Sequence, residues 1–303
     1  MRYLVRVLII LALITPVFAD GEAAAFLTMP IGWENVALGG CGTALGGVGS
    51  GWFNPASIQK MKGLGVSSGY SMLALDRSLY NLSAGWNIKN DAAVALTWVH
   101  ADAGEISGRD ISGNYTDQLN YGEDAIFLTF SKVVTSDLSV GVNAKYLQAR
   151  LNEITAYVAG FDLGIHGELL NDQLAIGVAY QNIGMKYQWN SAKVYGTENA
   201  SNSDESIPSN LRGGILYRLK VVPIGITAET EYYKFEEFKF RGGVFGNPVE
   251  DITLAAGLDD LLPTFGAGYK FDADFCKFGV GYSLRLEREG LPPRHSFNIS
   301  AEF

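Results

Sequence analysis

Alternating apolar and polar positions run along most of the chain after residue 62. Leu138, Val140 and Val142, for example, alternate with Ser139 and Asn143. Because successive side chains of a strand point to opposite faces, this period of two predicts β-strands with one apolar and one polar face. Fourteen segments follow the pattern, at 63–73, 79–88, 92–101, 123–132, 138–149, 155–168, 173–181, 211–219, 223–233, 237–245, 250–258, 263–271, 275–285 and 294–303.

The connections between these segments favour a membrane barrel over a soluble sandwich, whose strands would alternate in the same way. Each segment is close to the roughly 9 to 11 residues that a tilted membrane strand needs. The two long connections, 102–122 and 182–210, follow the third and seventh segments and so share one side, as extracellular loops do. We therefore predict an all-β fold, a 14-stranded antiparallel transmembrane β-barrel.

The stretch 38–56 breaks the alternation and is far richer in glycine than its surroundings. So many glycines disfavour a regular helix or strand, and no Lys-Ser/Thr pair frames them as a phosphate-binding loop requires. We expect an irregular glycine-rich plug or hatch, with residues 20–62 forming it and residues 63–303 forming the barrel. Its predicted plug motif consists of five consecutive residues, Trp52, Phe53, Asn54, Pro55 and Ala56.

The first residues predict a signal peptide spanning 1–19. Arg2 and Arg6 precede a short apolar run, and Val17-Phe18-Ala19 provides a cleavage site with small residues. The run is too short for the roughly 20 residues of a transmembrane helix. The pattern predicts export through a cleaved signal peptide, and together with the barrel it predicts the cell outer membrane as the location.

The composition fits this interpretation. Charged residues make up 18% of the chain, below the roughly 25% of soluble domains, and 36 glycines are present. The net charge of -9 argues against nucleic acid as a partner, because a phosphate backbone needs a basic surface. Cys41 lies in the plug and Cys276 has the parity of an outward-facing strand residue, so we expect both to be unpaired.

A set of charged residues lies on the polar face of the predicted strands. It could line an aqueous path or carry a substrate, or its members could pair with one another and with the plug. His166 shares a face with Asp162 and Glu168, yet zinc needs three or four convergent ligands, and no nucleophile motif accompanies a histidine. We expect no enzyme, metal or cofactor. The set comprises Lys145, Asp162, His166, Glu168, Arg212, Arg218, Glu229, Glu231, Arg241, Lys270 and Arg285.

The last segment places Phe297, Ile299 and Phe303 on its apolar face. This is the form of a terminal strand presented to an outer-membrane assembly machine, so we interpret these residues as an assembly signal. The expected partners are outer-membrane lipids and the barrel-assembly machinery.

Several short motifs, in this order, resemble those of the PorV/PorQ family, which belongs with the FadL-like outer-membrane barrels. They are GWFNPASI at 51–58, GVNAKYLQ at 141–148, FDLG at 161–164, GVAYQNIG at 177–184 and IPSNLRGG at 207–214. The chain departs from the family's plug motif at Phe53, where the family has Trp, and at Ser57, where it has Gly.

The resemblance implies a role in protein secretion, with secreted cargo as the partner. The first alternative is FadL-like transport of hydrophobic small molecules, in which Asn54-Pro55-Ala56 holds a hatch and loop aromatics such as Tyr187 and Trp189 capture the ligand. A second alternative is a scaffold barrel that transports nothing.

Overall fold

The computed structural model describes residues 22–303 except Asn90, Phe235 and Glu289, so the predicted signal peptide lies outside the described residues. Fourteen strands close into an antiparallel barrel, in which each strand pairs with its neighbours and β1 pairs with β18. The prediction of a 14-stranded antiparallel barrel is confirmed. The barrel strands are β1 (Leu64–Met72), β2 (Ser78–Lys89), β3 (Ala92–Asp102), β6 (Tyr121–Thr135), β7 (Leu138–Leu151), β8 (Ile154–Leu169), β9 (Leu174–Ile183), β12 (Asn210–Arg218), β13 (Ile224–Tyr233), β14 (Glu237–Val249), β15 (Ile252–Asp259), β16 (Leu262–Ala273), β17 (Cys276–Arg285) and β18 (Arg294–Glu302).

The two long connections contain structure that the sequence interpretation leaves as loops. The first holds a hairpin of β4 (Ile106–Arg109) and β5 (Tyr115–Leu119). The second holds a hairpin of β10 (Lys186–Asn190) and β11 (Asn202–Ser206), with the short helix α2 (Ala192–Tyr195) at its tip. We call the end of the barrel that carries them the long-loop end and the opposite end the short-turn end.

The outer surface of the barrel is apolar. Leu128 is 58% exposed, Ile226 50% and Ile299 61%. Large apolar side chains are exposed in the same way on the outer face of the other barrel strands. Soluble proteins rarely expose a continuous apolar surface of this size, whereas a lipid-facing barrel requires it. The wall is therefore built to face lipid.

The N-terminal segment, residues 22–62, runs through the barrel lumen. Near its start Glu22 contacts Tyr233 and Lys234 at the long-loop end, and near its other end Lys60 forms an ion pair with Glu168 at the short-turn end. Between them the chain forms one α-helix and three short 3₁₀ helices. These are α1 (Trp33–Ala37) and the 3₁₀ helices Ala25–Thr28, Ser50–Trp52 and Pro55–Lys60. None of the helices in the described part of the chain is long and apolar enough to cross a membrane.

Candidate functional site

The two aromatic residues of the predicted plug motif are buried inside the lumen. The Trp52 indole N–H donates to the carbonyl of Met29 at 3.0 Å, and its ring centroid lies 4.9 Å from that of Phe127 on β6. The Phe53 ring is buried, with the Arg212 guanidinium 5.1 Å from its centroid. The motif therefore contributes an apolar core that joins the N-terminal segment to the barrel wall.

Asn54 ties this motif to both its own segment and the wall. Its side-chain Nδ2 donates to the carbonyls of Thr43 and Ile165, each at 2.9 Å, and its Oδ1 accepts the Ala56 N–H at 3.0 Å. The side chain fits because the facing wall residue is a glycine. A Cβ at Gly164 would lie 2.1 Å from Asn54 Oδ1, which no real contact allows.

Pro55, Ala56 and Ser57 lie in the 3₁₀ helix that follows Asn54, and all three are buried. The Ala56 carbonyl accepts a hydrogen bond from Ser131 Oγ on β6 at 3.0 Å. Ser57 Oγ donates to the Asn54 carbonyl at 2.7 Å. The two departures from the family motif, Phe53 and Ser57, are thus both packed and hydrogen-bonded positions that fix the segment in this conformation.

Glu229 of β13 holds the glycine-rich part of the segment. Its Oε2 accepts the backbone N–H groups of Gly42 and Thr43, each at 2.8 Å. Its Oε1 accepts from Arg212 Nε at 2.8 Å, and Arg212 also donates to the Gly40 carbonyl at 3.2 Å. A buried carboxylate that receives this many donors is well compensated, so the pair anchors the segment to β12 and β13.

Two more of the predicted polar residues, Lys145 and Asp162, form a second buried group with two asparagines. Lys145 Nζ lies 2.6 Å from Asp162 Oδ1 and also donates to Asn182 Oδ1 at 2.6 Å. Asn143 Nδ2 donates to Asp162 Oδ2 and to the Gly51 carbonyl, each at 2.8 Å. This group therefore links β7 and β8 to the N-terminal segment.

A third group lies closer to the long-loop end. Arg241 Nη1 is 2.6 Å from Glu231 Oε2, and Arg241 Nε is 3.0 Å from Asp259 Oδ1. Arg285 also bonds to Asp259, at 2.9 Å. The group spans β13 to β17 along the inside of the wall.

His166 stands apart from these groups. It is buried, and neither ring nitrogen has a hydrogen-bond partner among the described residues. Glu168, on the same face, pairs with Lys60 instead. Among the described residues no cluster of metal-ligating side chains includes it.

Phe297 and Ile299 point outward from β18, and Phe303 follows the strand, with all three side chains about half exposed. Their role as an assembly signal stays a prediction. Cys41 and Cys276 are both free, as expected. The expectation that Cys276 faces outward is wrong, because this first residue of β17 is buried and lines a cavity at the short-turn end.

Two cavities inside the lumen lie against the strands β14–β18, β1 and β2, whose inner face we call the open side. One, of about 770 Å³, opens at the short-turn end and is lined by Lys60, Lys270 and Lys277 among others. The other, of about 320 Å³, reaches up to Trp33 and Asn298. Lys270 and Ser300 line both, so the two form one path from the short-turn end to the middle of the barrel.

A third pocket, of about 590 Å³, lies in the wall formed by β13, β14 and β15. Its lining includes the outward-facing Val244 and Leu254 and the inward-facing Phe245 and Asn247. Phe245 and Asn247 also line the inner cavity that reaches Trp33. The same two side chains therefore separate the lumen from the outer surface of the barrel, and we call this place the wall pocket.

The local sequence explains why the strand pairing of the wall is interrupted here. The pairing of β14 with β15 shifts register between Gly246 and Val249, which is a β-bulge, and Pro248 has no N–H to give to a neighbour. Asn247 compensates with its side chain, whose Nδ2 donates to Thr253 Oγ1 at 2.8 Å. The wall pocket thus sits where the strand pairing is interrupted.

Phe245 closes the wall pocket from the lumen side. A Cβ at Gly225, its partner across the β13–β14 pair, would lie 2.4 Å from Phe245 Cζ, so the ring occupies the space that a side chain would take. The ring also packs against an apolar cluster that includes Leu38 and Ala255. Phe245 therefore packs against the barrel wall and, through this cluster, against side chains of the N-terminal segment such as Leu38.

The overall structure resembles solved outer-membrane channels. The Pseudomonas putida toluene transporter TodX has 16% identity and a TM-score of 0.59, and the match covers 95% of this chain and 98% of that one. The CymD monoaromatic hydrocarbon channel has 14% identity and a TM-score of 0.58, covering 91% and 98%. A FadL homologue from Pseudomonas aeruginosa has 11% identity and a TM-score of 0.59, covering 89% and 97%. The fold is that of the FadL-type barrels.

No family model matches the chain, and no curated protein matches it. The resemblance to the PorV/PorQ family therefore stays a prediction, whereas the broader FadL-like architecture is shared with the solved barrels. TodX is described as a toluene transporter and CymD as a monoaromatic hydrocarbon channel.

Sequence reasoning missed the wall pocket, Phe245 and Asn247. One signal was present: in the run GGVFGNP at 242–248, three glycines and a proline lie across the end of the strand predicted at 237–245, and the structure extends that strand to Val249. Proline within a strand indicates an edge or a bulge, so the run predicts an interruption of the wall.

Proposed function

We propose that the chain is an outer-membrane channel of the FadL type that passes small hydrophobic molecules and releases them sideways through the wall pocket. The observation that carries the proposal is that Phe245 and Asn247 line both the inner cavity and the wall pocket. A molecule in the inner cavity that displaces the Phe245 ring would enter the wall pocket and from there the surrounding lipid.

The chemistry of the wall pocket suits an apolar passenger. Apart from Asn247 its side chains are apolar, and they include Ile224, Val244 and Leu254. Each buried CH₂ group gains about 0.8 kcal/mol on leaving water, so a hydrocarbon favours such a lining and a polar solute does not. The names of the solved neighbours TodX and CymD, a toluene transporter and a monoaromatic hydrocarbon channel, support this passenger class.

The hairpin of β10 and β11 closes the long-loop end in this proposal. Tyr187 is buried in the same apolar cluster as Trp52 and Phe127, and its hydroxyl donates to Glu123 at 3.2 Å. Trp189 packs partly against this cluster. The two aromatics therefore act as the underside of a lid over the N-terminal segment, and capture of a ligand requires the hairpin to lift.

The experiment measures uptake of radiolabelled toluene by Gram-negative host cells that lack their own hydrocarbon channels and express this chain. We expect uptake above that of cells with an empty vector. Phe245→Ala should increase uptake and Phe245→Trp should reduce it, because the first widens the wall pocket and the second fills it.

Phe240→Ala is the matched control, since Phe240 lies on the same strand but points outward near the long-loop end, with 68% of its surface exposed. Uptake equal to the empty-vector cells would contradict transport and favour the scaffold alternative. Equal uptake by all three variants would contradict the wall pocket as the exit.

The secretion role implied by the PorV/PorQ resemblance is the second candidate. Its support is limited to the motifs in the sequence and the two long loops on one side. Purification of the chain from detergent extracts of its own host tests it, because secretion components or secreted proteins should be recovered with it. Their absence would leave the hydrocarbon channel as the proposal.

A further inference from the structure

The inner cavity, which reaches Trp33 and Asn298, has a lining unlike that of the wall pocket. Most of its side chains carry a hydroxyl, an amide or a charge. Its volume of about 320 Å³ is at the small end of the roughly 300 to 1,000 Å³ of ligand pockets in proteins. The inner cavity therefore suits a small ligand that forms hydrogen bonds.

Asn81 of β2 faces this cavity with an unused amide group. It is only 7% exposed, yet neither its oxygen nor its nitrogen forms a hydrogen bond with another of the described residues. Both atoms keep some accessible surface, so a ligand in the cavity can reach them. The amide fits because β1 has Gly69 beside it, where a Cβ would come within 2.4 Å of Asn81 Oδ1.

Glu34 of α1 lines the same cavity from the side of the N-terminal segment. It is partly buried, and within the described chain its carboxylate takes part in no hydrogen bond or ion pair. Its oxygens also keep accessible surface. Polar groups that are withdrawn from water without a partner cost free energy, so Glu34 and Asn81 both favour a ligand that hydrogen-bonds to them.

The charges along the path into the inner cavity favour a neutral ligand. At the short-turn end five basic side chains line the path, but only two acidic ones, Asp272 and Glu302. This excess of positive charge repels an entering cation. Farther in, Glu34 and Glu302 outnumber Lys270, which disfavours an anion. The five basic side chains are Lys60, Lys62, Arg218, Lys270 and Lys277.

We propose that the inner cavity binds a neutral hexose, which enters from the short-turn end. The polar groups come from α1, β2 and β18, so a ligand that satisfies them needs hydroxyls on more than one side. Sugar hydroxyls can donate to the Glu34 carboxylate and can both donate to and accept from the Asn81 amide.

Trp33 supplies an apolar surface for the C–H groups of the sugar ring. The indole is held against the wall, since a Cβ at Gly281 would come within 2.1 Å of Trp33 Cδ1 and one at Gly268 within 2.2 Å of Trp33 Cζ2. The site therefore combines a fixed aromatic ring with unused hydrogen-bonding groups. It goes beyond the channel proposed above, whose passengers are hydrocarbons.

Saturation-transfer NMR on the full chain in phospholipid nanodiscs tests the proposal, because it detects weak binding without a sugar-based detergent. The probes are D-glucose, D-galactose and D-mannose. We expect saturable binding of at least one of them and at least about tenfold weaker binding of cyclohexanol, which keeps a single hydroxyl. The amino sugar and the uronic acid of the same configuration should both bind more weakly than the neutral hexose.

Two substitutions locate the site. Asn81→Ala should weaken hexose binding by roughly two- to tenfold, and Glu34→Ala by at least about tenfold, because the second removes hydrogen bonds to a charged group. Both variants should fold, since neither side chain has a hydrogen-bond partner in the described chain. Glu250→Ala is the matched control, because Glu250 is an exposed carboxylate that lines neither part of the path. It should leave binding unchanged.

Absence of saturable binding for all three hexoses would show that water fills the cavity and that the proposal is wrong. Equal binding by Glu34→Ala and Glu250→Ala would place the sugar elsewhere and would also overturn it. Tighter binding of the amino sugar or the uronic acid would contradict the choice of a neutral ligand. These measurements contain no hydrocarbon, so their failure is distinct from a failure of the channel proposal.

Discussion

The two sides of the lumen hold the N-terminal segment in different ways. On the inner face of β6–β9, β12 and β13, which we call the packed side, buried side chains bind it directly. Glu229 accepts its backbone N–H groups, and Asn143 donates to its Gly51 carbonyl.

On the open side, α1 packs closely against β16 and β17, and Thr264 bonds to the segment at Gly39 and Ala37. Cavities lie between the segment and the rest of this side, from the middle of the barrel to the short-turn end. Both sides therefore hold the segment, but only the open side also leaves room beside it.

This difference suggests how a barrel can contain a hatch and still conduct. In the proposed channel, a passenger need not expel the whole segment, because the contacts of the packed side can stay in place while those between α1 and the strands β16 and β17 give way on the path to Phe245. The wall pocket lies where β14 contains Pro248 and where its pairing with β15 has a bulge. The comparison predicts large effects on stability from the packed side and effects on transport from the open side.

The largest expected loss of stability comes from Glu229→Ala. It leaves the buried Arg212 without its carboxylate partner and frees two backbone N–H groups, so the free energy of unfolding should fall by about 3–5 kcal/mol. Urea titration of the barrel in lipid vesicles, followed by tryptophan fluorescence, measures it. Lys132→Ala is the control, because its ion pair with Asp91 is about half exposed and should contribute less than about 1 kcal/mol.

Asn54→Ala should have the next largest effect. The change removes two hydrogen bonds from Asn54 Nδ2 and one to Asn54 Oδ1 in a fully buried place, which should cost roughly 2–3 kcal/mol. Asn247→Ala on the open side, where the residue is only half-buried, should cost less in the same urea titration. If Asn247→Ala proved the more costly of the two, the packed side would not be the anchor.

Cys41 gives a smaller but direct readout of the packed side. Burial, and secondarily the nearby Glu229 carboxylate, raises the pKa of the Cys41 thiol from 9.0 to about 12. The thiolate is the reactive form, so a maleimide should not label Cys41 of the folded barrel at pH 8 and should label it after denaturation. Cys276→Ala provides the background in which only Cys41 can react.

The same shift sets a dependence on pH. Between pH 9 and 12 the folded chain keeps the Cys41 proton that the unfolded chain loses, so the contribution of this group to stability falls as the pH rises. The decline should disappear in Cys41→Ala. Rapid labelling of folded Cys41 at pH 8 would instead show that the segment leaves the packed side readily.

Much of the barrel could be predicted from the sequence because a strand with lipid on one side and a polar lumen on the other must alternate. The strand limits differ by only a few residues where polar ends continue the pairing, as in β6, which begins at Tyr121. The short hairpins in the long connections escaped prediction. Their strands are four or five residues long and mostly polar, so they carry no apolar period.

The candidate site was harder to predict, because its contacts join residues far apart in the chain. The sequence placed Glu229 on the polar face but gave no sign that it binds Gly42, 187 residues earlier. Alternation likewise assigns Cys276 to the outer face, although the end of β17 turns it into a cavity. Phe245 was not singled out, because its proposed role depends on the neighbouring bulge, which alternation does not predict.

The wall pocket is the central claim, and uptake of toluene by cells expressing Phe245→Trp tests it most directly. The proposal predicts that a larger ring lowers uptake well below that of the unmodified chain, while Phe240→Ala leaves uptake unchanged and all three proteins reach the membrane in equal amounts. Undiminished uptake through the Phe245→Trp barrel would contradict an exit between β13 and β15.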